Sequence, residues 1–548
     1  MRQAKKAVGT PLVGVRAGNL ARSFRNHLCA RQVLVTIGLK KERKCTRHLM
    51  SSSALASRRQ VVGRTLYCFA MLMSNSPFTS ASAAMASTIS TSGAAVYSSK
   101  PAHYVAGSHS YLSIPDDMVL QNVIVVHRHG DRSQIARSLG LNYPEDSAVA
   151  DVWRTKMPSQ ASLEVMAAVA SSSWPLESRL ENPPRTLEDE LYSGEDAGSH
   201  PYAQLTERGV SQLLAVGREL RSRYVDKTPG FLSDTTSLAS QIYARSTNMC
   251  RTLQSLRSLL AGFYAIPIAV SSPPPSALYD AAALKNSTRP KKEEVMFPGA
   301  DGPCDAMATR RAAIFSPDFA ERHYPGYAEI EARVKTLLGY QDKVAWLTIK
   351  EILTCRREHD IPFPAGISLE DEEKISGLAG WMWGKLYGDT ALNRLAIGRF
   401  VKELSDDLRA AMGPAPETPD DSSASTTGPR GKKILLYSGH DSTLVPLLCA
   451  LDIYDGNWPP YASYLTLEIA QSRASGQRFV RALYNDKEVA MLGQAGPWCS
   501  FDVLLDGLER FSLRHEDYRK ECSQGDKTLL AAAEARAYEA EVKATIGI

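Results

Sequence analysis

The fold is constrained most by two short apolar runs, residues 123–126 and 434–437, each of which leads directly into a group of polar residues. Neither run alternates with polar residues, and such continuous runs are typical of strands buried on both faces of a parallel sheet. A third, weaker strand candidate at residues 241–244 lies between two helical stretches. The sequence therefore predicts an α/β fold, a doubly wound, mostly parallel sheet with helices on both faces.

Two amphipathic stretches flank the third strand candidate. Between about 206 and 224, apolar residues recur every three or four positions, so one stripe of the helix faces the core. Thr206 is suited to cap the amino terminus of this helix, because its hydroxyl can accept a bond from a free backbone amide. Residues 253–260 carry leucines on a similar stripe and end near Gly262, which predicts a second helix against the sheet.

The body of the chain is predicted to be one domain, residues 106–525, followed by a tail at 526–548. The segments assigned to its α/β core are about 115–145, 200–275 and 430–510. Helical composition without strand signals predicts an inserted, mostly helical cap domain at about 146–199 and 276–412. Residues 413–433 are rich in Pro, Asp, Ser and Thr, a composition typical of a disordered loop.

Residues 1–105 are predicted to be a targeting or disordered segment. The first 100 residues contain 16 Lys or Arg and a single acid, Glu42, and 13 Ser lie between positions 51 and 99. This composition resembles an organellar transit peptide and predicts a mitochondrial or plastid location. The pair Arg58-Arg59, a short apolar run and the small residues at 84–86 also fit a secretory signal, so a secretory or endolysosomal location is the alternative. A true start at Met50, without a leader, is a third interpretation.

Charge and cysteine content exclude some partners. The whole chain has a formal net charge of +5. The first 100 residues, with 16 bases and one acid, have a net charge of +15, so the other 448 residues have a net charge of −10. Nucleic acid is therefore not expected as a partner, since its binding depends on basic side chains. No window outside the leader has the roughly 18 apolar residues of a membrane helix. The body has six cysteines, which allow 15 disulfide pairings and lack the Cys-x-x-Cys spacing of a zinc or redox site: Cys250, Cys304, Cys355, Cys449, Cys499 and Cys522.

Polar groups follow all three strand candidates. The motif Arg-His-Gly-Asp-Arg at residues 128–132 comes after the first, Arg245 after the weaker one, and His440-Asp441 after the last. Arginine suits phosphate because its planar fork donates two parallel bonds and keeps its charge. A neutral imidazole between two arginines can attack phosphorus. Taken singly, each group also has a structural alternative: a solvated basic loop, an arginine at a strand end, or a helix cap.

Convergence of the three groups favours a ligand site. The carboxyl ends of neighbouring parallel strands meet at one edge of a sheet, where open α/β sheets bind their ligands. We therefore expect one phosphate-binding pocket at this edge, built from Arg128, His129, Arg132, Arg245, His440 and Asp441.

Together, these motifs resemble the two-part signature of the histidine acid phosphatases, the acid-phosphatase branch of the histidine phosphatase superfamily. Residues 128–132 match the first part and His440-Asp441 the second, and the resemblance extends over about 115–525. The supporting blocks are residues 205–224 and 245–262. Within the family, the stretches that look most like the lysophosphatidic acid phosphatases are 259–263, 445–448, 458–462 and 499–523.

The resemblance implies a phosphatase that needs no metal or other cofactor and works through a phosphohistidine. It implies His129 as the nucleophile, and Asp441 as the acid that protonates the departing alcohol and then takes a proton from water. The residues implied to hold the phosphoryl oxygens are Arg128, Arg132, Arg245 and His440. The family usually has proline at the position of Gln134, so the rim of the pocket is expected to differ here.

The implied substrate is a small phosphomonoester, with lysophosphatidic acid or a similar lysophospholipid as the first candidate. Broad acid phosphatase, phytase-like or sugar-phosphate activity is the alternative, because the pocket walls come from helical insertions whose periodicity says little about specificity. A mutase that transfers phosphate would use the same covalent histidine. A non-catalytic phosphate-binding module is disfavoured, since His129 and Asp441 are both present.

Overall fold

A computed structural model describes residues 107, 111–144, 147–170, 199–232, 238–266, 286–300, 302–413 and 428–524. Every described residue lies within Ser92–Ile548. The predicted leader, the predicted tail and most of the predicted loop at 413–433 lie outside the described residues.

Eight strands form one sheet in the described part of the chain. Their bounds are β1 Met118–Arg128, β2 Ile242–Ser246, β3 Asn286–Ser287, β4 Ile434–Gly439, β5 Tyr464–Ser472, β6 Arg478–Tyr484, β7 Lys487–Val489 and β8 Trp498–Ser500. The order across the sheet is β3-β2-β4-β1-β5-β6-β7, and β8 pairs with β6 off this path. The three predicted strands are confirmed as the adjacent parallel strands β2, β4 and β1.

The sheet as a whole is mixed, which corrects the prediction of a mostly parallel sheet. Strands β3, β2, β4 and β1 are parallel, whereas β5, β6, β7 and β8 are joined by antiparallel pairings. Only residues 473–477 connect β5 to β6, and a connection this short makes a hairpin, because a parallel crossover needs a dozen or more residues. The β6–β7 turn, Asn485-Asp486, has positive φ angles of 49° and 65° that suit a tight hairpin.

The described helices surround the sheet. Their bounds are α1 Ser147–Arg154, α2 Gln160–Ala170, α3 Glu207–Arg221, α4 Cys250–Phe263, α5 Asp305–Ile314, α6 Pro317–His323, α7 Tyr327–Leu338, α8 Trp346–Glu358, α9 Leu369–Gly388, α10 Thr390–Ala411, α11 Asp441–Ala450, α12 Phe501–Glu509 and α13 His515–Cys522. Thr206 caps α3 as predicted, since its side chain accepts a bond from the amide of Gly209. None of the described helices is long and apolar enough to cross a membrane.

The sheet carries a separate apolar layer on each face. One layer includes Ile242 and Ala244 of β2 and the leucines of α3 and α4. The other includes Tyr243 of the same strand together with apolar residues of α10, α11 and α12. Consecutive residues of β2 therefore face opposite layers, as the strand period of two requires. This alternation decides the environment of Arg245, as described below.

Helices outside these two layers have apolar clusters of their own. Residues of α7, α8 and α9 share one cluster, and residues of α5, α9 and α13 contribute to another. A disulfide between Cys304 and Cys522 ties the start of α5 to the end of α13. Helix α10 falls within the range assigned to the cap, yet it packs on the sheet. The division of the body into core and cap stays a prediction.

Candidate active site

The carboxyl ends of β1 and β4 meet side by side and place the two predicted motifs together. Arg128, the last residue of β1, is aligned with Gly439, the last residue of β4. The backbone amide of His129 donates to the carbonyl of Gly439 at 2.9 Å. His440 lies at the amino-terminal cap of α11, and its ring centroid is 5.5 Å from that of His129.

Hydrogen bonding sets the tautomer of His129. Its Nδ1 lies 2.8 Å from the carbonyl oxygen of Gly130, and because a carbonyl only accepts, Nδ1 carries the proton and Nε2 keeps its lone pair. Burial and the positive charges of Arg128, Arg132 and Arg251 hold the pKa of His129 well below its usual range. The ring is therefore neutral even at acidic pH.

The loop after His129 packs against the start of α3 and is hydrogen-bonded to His359, the residue that follows α8. A Cβ atom added to Gly130 would lie 2.5 Å from the carbonyl oxygen of Gly209, so only glycine allows this close approach. The carboxylate of Asp131 accepts bonds from the Thr206 hydroxyl and from Nε2 of His359, the latter at 2.6 Å. His359, which was not among the predicted site residues, thus fixes the loop that carries His129.

Two arginines flank His129, and each is oriented by a carboxylate. Arg128 Nη2 lies 2.9 Å from Asp441 Oδ2, and its guanidinium stacks 4.2 Å from the centre of the Tyr461 ring. Arg132 forms an ion pair with Glu351, whose Oε1 also accepts the amide of Ile135 at 3.0 Å. Both guanidinium groups are pre-oriented by these contacts before a ligand binds.

Asp441 and His440 close the other side of the pocket. Asp441 is 15% exposed, and its Oδ2 accepts a bond from the indole Nε1 of Trp458 at 3.1 Å. Burial raises the pKa of Asp441, but the charges of Arg128, Arg132 and Lys350 outweigh it and bring the pKa below the usual value. Nε2 of His440 is 2.9 Å from the Thr247 hydroxyl, and the His440 side chain lines the pocket.

A cleft with about 830 Å³ of empty space, its open mouth included, brings these groups together. Five of the six predicted site residues line it: Arg128, His129, Arg132, His440 and Asp441. The apolar and aromatic part of its wall is made by Ile135, Phe297, Pro298, Leu347, Trp383, Leu386, Tyr387, Trp458 and Tyr461. A cationic end that contains His129 therefore opens into a largely apolar wall, the composition of a small-molecule site.

Arg245, the sixth predicted residue, does not line the cleft, which corrects its assignment as a phosphate ligand. Its side chain is fully buried and forms ion pairs with Glu294 and Glu403. The reason is the strand period: Arg245 shares the face of Tyr243, which α10 covers, and Glu403 belongs to α10.

Arg251 lines the cleft instead. It lies in the first turn of α4, directly after β2, where the amino terminus of a helix meets the carboxyl edge of the sheet. That position at a strand-to-helix junction was the sequence signal that could have identified it.

Substitutions at these two arginines should have different effects. Arg251→Ala should weaken competitive inhibition by inorganic phosphate about tenfold or more, because a charge-assisted bond to the anion is lost. Arg245→Ala should instead lower the melting temperature, since Glu294 stays buried without its cation, a change that typically costs about 3–5 kcal/mol. Inhibition constants and thermal melts of both variants check this. Weaker inhibition with Arg245→Ala but not with Arg251→Ala would reverse the assignment.

Several contributors to the site were not among the predicted site residues. Glu351 and Lys350 come from α8, and Tyr461 and Trp458 from the segment before β5. Gln134, where the family usually has proline, is buried and donates from Nε2 to the carbonyl of Ala136 at 2.9 Å. Hydrogen bonds thus hold this part of the loop.

Comparisons with known proteins found a matching family and several relatives. Residues 119–485 match the family model described as histidine phosphatase superfamily, branch 2. Lysophosphatidic acid phosphatase type 6 from Bos taurus is 28% identical over 424 residues, which are 74% of this chain and 86% of the relative. Lysosomal acid phosphatase from Xenopus laevis is 26% identical over 331 residues, 59% of this chain and 71% of the relative. The solved apo form of Hafnia alvei phytase is 13% identical, with 75% of this chain and 99% of that chain covered at a TM-score of 0.46.

Proposed function

The chain belongs to branch 2 of the histidine phosphatase superfamily, and from this membership we propose that the pocket around His129 hydrolyses phosphomonoesters through a phosphohistidine. Its family and its named relatives make the chain a phosphomonoesterase. The observation that carries the mechanism is the bond from Nδ1 of His129 to the Gly130 carbonyl, which leaves Nε2 as the nucleophilic nitrogen of a ring that lines the pocket.

In the first step, the lone pair of His129 Nε2 forms an N–P bond while the ester P–O bond breaks. The proton of the Asp441 carboxyl group passes to the departing alkoxide, which leaves as an alcohol. In the second step, water attacks phosphorus and gives a proton to the Asp441 carboxylate, and the N–P bond breaks. Inorganic phosphate leaves, and both residues return to their starting protonation states.

Charge on the phosphoryl oxygens is offset by groups already in place. Arg128, Arg132 and Arg251 are held around His129, and His440 adds a fourth contact. Fixed cations in a largely water-excluded site stabilise the transition state without reorganising during the reaction. Because side chains supply this charge, we propose that the reaction needs no metal ion.

The pH dependence follows from the protonation states that the first step needs. His129 must be neutral, and its lowered pKa keeps it so in acid. Asp441 must be protonated, and its protonated fraction falls as pH rises above its pKa. A bound phosphate offsets the arginine charges that lower the pKa of Asp441, so the carboxyl group takes up its proton more readily in the complex.

We therefore expect hydrolysis by the full-length chain to be faster at pH 4–5 than at pH 8 and to be unchanged by a chelator. Phosphate release from an aryl phosphate across this range, with and without the chelator, measures both properties. A rate that rises towards pH 8, or that the chelator abolishes, would contradict the proposal.

The favoured substrate is lysophosphatidic acid or a similar lysophospholipid. Beyond Asp441, the wall presents Trp458, Trp383, Leu386 and Leu347, surfaces suited to an apolar chain. One relative is named lysophosphatidic acid phosphatase, and it matches most of this chain. Because apolar contacts discriminate substrates by about tenfold or more, kcat/KM should be higher by that factor for lysophosphatidic acid than for an aryl phosphate or for phytate. Equal values would indicate a broad acid phosphatase, and a preference for phytate a phytase-like enzyme.

The disulfide bears on location. A bond between Cys304 and Cys522 persists in oxidising compartments and is rare in reducing ones. We therefore favour the secretory or endolysosomal route over a mitochondrial matrix or plastid stroma, while the transit-peptide character of the leader stays a prediction from composition. Recovery of the full chain from an organellar matrix with Cys522 reduced would overturn this preference.

A further inference from the structure

One buried cation of the cleft lacks a carboxylate partner. Lys350 of α8 lines the cleft and is 6% exposed. Two other cations near the reaction centre form ion pairs, Arg128 with Asp441 and Arg132 with Glu351. In contrast, the Lys350 ammonium forms no ion pair with any described carboxylate and rests on the Trp458 ring, 4.3 Å from its centre. A cation–π contact offsets only part of the desolvation free energy of a buried ammonium. The Lys350 ammonium is therefore suited to donate a hydrogen bond to an acceptor atom of a bound ligand.

The position of Lys350 relative to the reacting atoms follows from Trp458. The indole Nε1 donates to Asp441 Oδ2 at 3.1 Å, and the same ring carries the ammonium on its face. Asp441 addresses the ester oxygen of the leaving group in the mechanism proposed above. Lys350 therefore lies on the leaving-group side of the pocket, next to the atoms that directly follow the ester oxygen.

We propose that Lys350 is a specificity-determining residue that donates a hydrogen bond to an acceptor on the leaving group, one to three bonds beyond the ester oxygen. The ligand class is an alcohol phosphate with a hydroxyl, ester carbonyl or carboxylate next to the phosphorylated carbon, as opposed to a plain alkyl phosphate. This inference rests on the proposed function and extends it, because it states which polar feature the alcohol must carry.

The pKa of Lys350 lies above the pH range in which the enzyme is expected to work, so its ammonium stays protonated there. Burial and the charge of Arg128 lower the pKa of Lys350 to about 8, while Asp441, Glu372 and Cys355 act in the opposite direction. At pH 4–6 the group is therefore a donor with a full positive charge. Above about pH 8 it loses that charge, whereas an arginine in its place would keep it.

The test compares two substrates that have the same three-carbon chain and differ only in its two hydroxyl groups, glycerol 1-phosphate and propyl phosphate. The ratio of their kcat/KM values is measured at pH 5 for the full-length wild type and for Lys350→Met, which keeps the length of the apolar stem. The wild type should prefer glycerol 1-phosphate, and Lys350→Met should lower the ratio about tenfold, as expected for the loss of one bond to a charged donor. Lys350→Arg should restore most of the ratio, because it restores the charge.

A second cation supplies the matched control. Arg311 of α5 also lines the cleft, and it lies beside Tyr387. Ring contacts run from Tyr387 through Trp383 to Trp458, with centroid separations of 5.5 and 4.1 Å. Arg311 therefore contacts a different ring of the wall, whereas Lys350 rests directly on the indole that donates to Asp441. Arg311→Met removes the same charge and should leave the ratio close to that of the wild type. An equal fall with both variants would show a general effect of pocket charge and overturn the local contact.

Failure of this inference is distinguishable from failure of the proposed function. If the folded wild type hydrolyses neither substrate nor an aryl phosphate, the proposed function fails. If it hydrolyses both alkyl substrates and the ratio is the same in Lys350→Met, only the role of Lys350 is overturned. Thermal melts of each variant establish that the compared proteins are folded.

Discussion

Replacing His129 by alanine is expected to abolish formation of a phosphoenzyme and to lower kcat by about 10⁵-fold or more, the order of effect seen when a covalent nucleophile is removed. The physical reason is that His129 supplies the attacking lone pair, and no other described imidazole combines a pocket-lining position with the orientation that the Gly130 carbonyl imposes. The measurement is acid-quenched labelling with a ³²P-phosphomonoester, followed by a test for the acid-labile, base-stable character of phosphohistidine.

His127 provides the matched control for this experiment. It is fully buried two residues earlier in β1 and does not line the cleft, and burial lowers its pKa to about 4. The folded His127→Gln variant should therefore still be labelled. Labelling that persists in His129→Ala would show that another residue is the nucleophile.

Replacing Asp441 by asparagine should slow esters of poor leaving groups far more than esters of activated phenols. A general acid contributes about 10²–10⁴-fold to a rate, and the full loss should appear with an alkyl phosphate, whose alkoxide cannot leave without a proton. A nitrophenolate leaves without protonation, so nitrophenyl phosphate should lose much less. Single-turnover rates of phosphoenzyme formation with both esters measure this difference directly.

The two esters act as internal controls for each other. Both place the same phosphoryl group among Arg128, Arg132 and Arg251, so any disturbance of Arg128 caused by loss of its ion pair with Asp441 slows both equally. Only loss of the proton donor separates them. Equal losses for the two esters would assign Asp441 to positioning Arg128 and would remove it from proton transfer.

The two motifs were predictable from the sequence because each directly follows a strand of the central sheet. Residues 128–132 follow β1 and His440-Asp441 follow β4, and these strands are adjacent and parallel. Parallel neighbours must end at the same edge, so a pattern of three apolar runs was enough to predict their meeting. The antiparallel half of the sheet was missed. Strands β7 and β8 have only three residues each, and the pairing of β5 with β6 depends on a hairpin connection.

Side-chain direction was harder to predict than position along the chain. Arg245 and Arg251 are six residues apart and both lie near the end of β2, yet only Arg251 lines the cleft. Successive side chains of a strand point to opposite faces of the sheet, and Arg245 lies on the face where it meets Glu403 of α10. The sequence pattern for β2 was too weak to set this register.

The sequence by itself determined the family and the candidates for the nucleophile and the acid. It also determined that β1, β2 and β4 end at one edge of the sheet, because these features depend on residues next to strand ends. The tertiary structure alone decided which arginine lines the cleft, which carboxylates orient Arg128 and Arg132, and that Lys350 and Trp458 lie beside Asp441. These contacts join residues up to 331 positions apart, such as Arg128 and Pro459. Local periodicity carries no information about partners at such separations, since they are set by how helices pack over the sheet.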